Sequence, residues 1–74
     1  MTDYQLRDYI ACLRAEARHF RDLAKIQRER SREAKLAKRW VDKLRADDRA
    51  REYVRAAQER DAQAKQYREH LGGR

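Results

Sequence analysis

His19 stands three residues after Glu16 and three before Asp22. That spacing lets an imidazole and two carboxylates share one side of a helix, where they could pass a proton or hold a cation. The grouping is weak chemistry. Two carboxylates one turn from a lone His arise by chance in a chain that is 45% charged, and a metal site needs more ligands and a supporting shell. His70, beside Glu69 near the end of the chain, fits a cation favoured by a helix C-terminus. Cys12 is the only cysteine and falls off the main apolar stripe, which reads as a small half-buried filler and rules out an internal disulfide. There is no Ser/His/Asp grouping, no paired-carboxylate site and no Gly-rich phosphate loop. We therefore expect no catalysis, no metal, no cofactor and no small-molecule substrate.

Charge offers a more specific hint. The net charge is +7, and residues 21–51 hold twelve basic side chains against six acidic ones, whereas residues 1–20 balance to zero. Arg28, Arg30, Arg32, Lys35, Lys38, Arg39, Lys43 and Arg45 form a basic middle able to lie on a nucleic-acid backbone or dock on an acidic protein. An ordinary solvated face explains the same residues. No base-reading element is present: the would-be basic region also carries Glu29, Glu33 and Asp42, and no tight Gly-containing turn separates two short helices. Backbone contact is thus expected over sequence readout if nucleic acid is bound. Trp40 could stack on a base, but Ala37, Val41 and Leu44 surround it at helical spacing and mark it as an anchor of core or interface.

The elements that would position these residues are helices. Pro is absent and the only glycines are Gly72 and Gly73, so nothing before residue 72 forces the backbone out of a helix. Thr2 and Gln5 stand at capping-box spacing ahead of Leu6, Tyr9, Ile10, Leu13, Ala17 and Phe20, a clear amphipathic stripe. Leu23 and Ile26 drift off it. Residues 27–33 contain no apolar side chain and read as a polar connection, although their Gln, Arg and Glu would also tolerate an unbroken helix. A second stripe holds Leu36, Ala37, Trp40, Val41 and Leu44. Asp47-Asp48 then offers an N-cap before Ala50, Tyr53, Ala57, Ala64, Tyr67 and Leu71, which keep strict heptad spacing with Arg60 in the remaining seam position. The expectation is helix 1 over about 3–27, helix 2 over about 32–46 and helix 3 over about 48–71, the last two separate or continuous, with Gly72-Gly73-Arg74 ending the helix.

The fold class is therefore all-α, a small antiparallel hairpin or three-helix bundle with coiled-coil character. A chain of 74 residues builds a thin core, and with neither disulfide nor metal the remaining route to stability is a partner, so a homodimer is expected. No run approaches the length of a membrane span, and no signal-peptide pattern opens the chain, which points to a cytoplasmic protein. The functional expectation is a non-enzymatic interaction module, a helical adaptor or inhibitor acting on a larger protein or protein complex. Leu13, Phe20, Trp40, Val41, Leu44, Tyr53 and Tyr67 would be its packing or contact residues. Size and composition suit a small regulator of the kind phages and plasmids use, by analogy alone. The alternative is non-specific binding of DNA or RNA through residues 25–51.

Overall fold

Thr2 opens the first helix. Its hydroxyl accepts from the Gln5 backbone N–H at 3.2 Å, and its own N–H donates to Gln5 Oε1 at 3.0 Å, so the capping box closes in both directions. The computed structural model describes residues 2–72, and the helix begun here, α1, runs Asp3–Leu36. A second helix, α2, runs Trp40–Gly72 and returns antiparallel along α1. Of the expected terminator Gly72-Gly73-Arg74, Gly72 is still part of α2, and Gly73 and Arg74 lie outside the described residues.

The all-helical hairpin is what forms, with boundaries different from those expected. Residues 27–33 are not a connection: α1 continues through them, and Gln27 and Ser31 are buried against α2. Nor does Asp47-Asp48 divide the second helix. Asp47 accepts from Ser31 Oγ and from Lys43 Nζ at 2.7 Å, and Asp48 pairs with Arg51 at 3.3 Å. With both carboxylates engaged by side chains, neither competes for the backbone as a cap would.

The reversal occurs at residues 37–39, in the middle of what the sequence shows as one stripe. The Arg39 N–H reaches Ala34 O at 2.8 Å and the Lys38 N–H reaches Lys35 O at 3.1 Å, the paired bonds that finish a helix when one residue turns left-handed. That residue is Lys38, at φ 58°. Glycine normally fills the position because a Cβ is penalised there.

The inward positions repeat at alternating intervals of four and three. On α1 they are Leu6, Ile10, Leu13, Ala17, Phe20, Ala24, Gln27, Ser31 and Ala34; on α2 they are Lys43, Ala46, Ala50, Tyr53, Ala57, Arg60, Ala64, Tyr67 and Leu71. Among the described residues Ala17, Ala24, Ala57 and Ala64 are the most deeply buried, and no large side chain is fully enclosed. The core is a seam and not a ball. The Cα atoms extend 55 × 14 × 14 Å with a radius of gyration of 16.6 Å, where a globular chain of this length would have about 11 Å. No helix among the described residues is long and apolar enough to cross a membrane.

Candidate interaction surfaces

The seven expected packing residues divide between inside and outside. Leu13 is buried. Phe20 stacks on Tyr53 across the helices, with ring centroids 6.2 Å apart and planes 24° from parallel, and the Arg60 guanidinium sits 5.8 Å from the Phe20 centroid. Tyr67 meets Tyr9 edge to face at 5.2 Å. These contacts pin the half of the hairpin nearer the chain ends.

Trp40, Val41 and Leu44 instead face solvent, exposed by 56%, 62% and 61%. Of the two places expected for Trp40, core or interface, the intramolecular core is excluded because the turn falls inside the stripe: Leu36 belongs to α1, Trp40 begins α2, and the inward column of α2 passes through Lys43 and Ala46. Leu36, at 80% exposed, lies just across the turn. The closed end therefore displays four large apolar side chains. Around them, residues 35–45 carry Lys35, Lys38, Arg39, Lys43 and Arg45 against Asp42 alone.

The basic middle does not form one surface. Arg30, Arg39 and Arg45 line a groove of about 290 Å³ together with Gln27, Glu33, Asp42 and Arg49. Arg28 lines a second groove, of about 300 Å³, with Arg21, Val54 and Gln58. Because Ala34 and Ala46 line the first groove while Ala24 and Ala57 line the second, the two lie on opposite flanks of the seam. Arg32, Lys35 and Lys38 are exposed, and Lys43 is half-buried in its bond to Asp47.

Inside the closed half the seam is polar. Asp47 is held below its ordinary pKa, first by the Lys43 ammonium and then by the Ser31 hydroxyl, with partial burial opposing them. Gln27 Oε1 is buried with no hydrogen-bond partner among the described residues, a state that costs about 1–3 kcal/mol for such an acceptor. Reading residues by apolar type passes over this polar seam. The signal that finds it is the spacing of residues 24, 27, 31 and 34, which continues the stripe of residues 6 to 20.

Elsewhere, two exposed arginines converge on Asp61: Arg21 bonds its Oδ2 and Arg14 lies 3.7 Å from its Oδ1. Arg60 donates to Glu16 at 2.7 Å. Cys12 is exposed, not half-buried, because its column faces away from α2. His19 packs near Phe20, at 6.3 Å between centroids. Among the described residues no group of three or more His, Cys, Asp or Glu side chains is placed to hold a metal ion. No protein-family model, no curated protein and no solved structure matches this chain.

Proposed function

We propose that the protein is a non-enzymatic interaction module, a small adaptor or inhibitor that grips a larger protein through the closed end of its hairpin. One observation supports this reading above the others: Leu36, Trp40, Val41 and Leu44 are all exposed at the closed end, while the seam there holds Gln27, Ser31, Ala34, Lys43 and Ala46. Burying each such side chain against a partner would contribute about 1.5–3 kcal/mol, and Trp beside Arg is a favoured pairing at the energetic centre of interfaces. The excess of cations in residues 35–45 favours a partner that offers an apolar groove with an acidic rim.

Two finer readings accompany this one. The unbroken four-three alternation on both helices supports antiparallel coiled-coil winding, with alanines allowing a close approach. A homodimer would use the same exposed apolar side chains, set against the mutual repulsion of two cationic ends. A cytoplasmic location suits the exposed Cys12 thiol, which a reducing compartment preserves.

The test is affinity capture with the wild type and with a Trp40→Ala/Leu44→Ala variant whose thermal melting matches it. A specific protein held by the wild type and lost by the variant is the expected result; equal recovery by both would refute the reading. Light scattering over a concentration series, on the same two proteins, identifies a second copy as the occupant if dimer mass disappears with the substitutions.

A further inference from the structure

The fold sorts charge around the long axis of α1, which the order of residues along the chain does not reveal. Two columns border the second groove's side of the seam, one of them fixed by Arg21 and Arg28 in that groove and by the Arg14 and Arg21 contacts to Asp61. Of their nine α1 positions from residue 7 to residue 35, eight are Arg or Lys and the ninth is Ala11. The inner column is Arg7, Arg14, Arg21, Arg28 and Lys35; the outer adds Arg18, Lys25 and Arg32. All eight are exposed. Arg30 is the only other cation in α1, and none of that helix's six carboxylates stands on this flank.

On α2 the same flank contributes Arg51, Lys65 and Arg68. Its two carboxylates are both occupied, Asp47 by Ser31 and Lys43 and Asp61 by Arg14 and Arg21. Cations acting only as surface filler would be spread over every outward column, with acidic residues among them. On α1 the outermost column instead carries Asp8, Asp22 and Glu29 and no cation.

The geometry points to this flank as a binding surface for the phosphodiester backbone of nucleic acid, running from Arg7 toward the closed end, which it meets at Lys35. The α1 strip presents a cation about every 5 Å along about 42 Å of helix, facing a polymer that bears one phosphate per 3.4 Å of each strand. Between residues 7 and 35 the α1 strip has no large apolar side chain, neither the apolar centre of a protein interface nor the inserting side chains of a membrane-surface helix; the apolar residues of the α2 side are Val54 in the groove and Trp40 and Leu44 at the turn end. Repeated point charge answers repeated point charge. The contact is with backbone, so it carries affinity without sequence preference.

The experiment is an anisotropy titration over increasing salt with a labelled duplex of about 20 base pairs and with the single strand of equal length. Polyglutamate and anionic lipid vesicles serve as competitors. Arg18→Glu/Lys25→Glu/Arg32→Glu is compared with Arg30→Glu/Arg49→Glu/Arg55→Glu, which changes net charge equally on other columns. Circular dichroism checks that both stay helical, and Gln versions replace any triple that does not. The flank triple is expected to lose about tenfold or more in duplex affinity near 0.1 M salt and to flatten the log–log salt slope by about 2.7, while the control triple stays within about twofold. Comparing the two labelled probes shows which form of nucleic acid the flank prefers. Equal losses in both triples, no binding by the wild type at that salt, or displacement by polyglutamate or vesicles at matched charge would each overturn the assignment.

Discussion

The two halves of this hairpin obey one spacing rule and fill it with opposite chemistry. Toward the chain ends the inward positions hold Leu6, Leu13, Phe20, Tyr53 and Tyr67; toward the turn they hold Gln27, Ser31, Ala34, Lys43 and Ala46. Large apolar side chains are not lacking near the turn. They stand outside, as Leu36, Trp40, Val41 and Leu44. The open half thus turns most of its large apolar side chains to the seam, Tyr4 excepted, and the closed half leaves its own for something else to cover.

The same substitution made in each half tests that contrast most sharply. Leu13→Ala removes a buried side chain and should cost about 2–5 kcal/mol, most or all of the stability a chain this small can hold. Leu44→Ala, at an exposed position, should stay within about 0.5 kcal/mol. Urea unfolding followed by circular dichroism measures both, and comparable losses would show that the closed end is packed after all.

A smaller effect is expected at the turn. Lys38→Gly relieves a left-handed Cβ and should raise stability by about 1 kcal/mol. A fall would mean that the Lys38 side chain holds the reversal in a way its backbone angles do not require. The smallest effect concerns acid. Because the folded-state pKa of Asp47 is depressed, its contribution is fully present above the ordinary value of 3.8 and fades as pH falls through its own lower value. Thermal melts between neutral pH and pH 2 should show Asp47→Asn less stable than the wild type near neutrality, with the difference shrinking in acid. A constant difference would remove charge from the explanation.

How much could be read in advance follows the same division. Tyr53, Ala57, Arg60, Ala64 and Tyr67 announce their column by spacing, and Leu6 to Phe20 by spacing and residue type together. The closed half conceals itself twice. Gln27 and Ser31 look like surface residues because polar groups seldom occupy a seam, and only the cross-helix partner Asp47 shows why Ser31 is there. The turn carries neither Gly nor Pro, and Lys38 accepts a conformation that sequence rules assign to glycine. Once the turn is misplaced, spacing alone cannot separate the two places expected for Trp40, core and interface. The charged flank was hidden for a different reason: counting charge along the chain finds a basic middle, whereas only the rotation of each residue about its helix shows the strip from Arg7 to Lys35.

The uneven seam also bears on the order in which the hairpin assembles. Joining Ser31 to Asp47 closes a loop of 16 residues, whereas joining Tyr9 to Tyr67 closes one between three and four times longer. Chain entropy charges only about 1 kcal/mol for that difference. Burial of a single aromatic ring exceeds it. Proximity to the turn therefore gives the polar half little kinetic advantage, and the barrier to folding should be crossed by docking near Phe20 and Tyr53, with the turn-side seam closing afterwards.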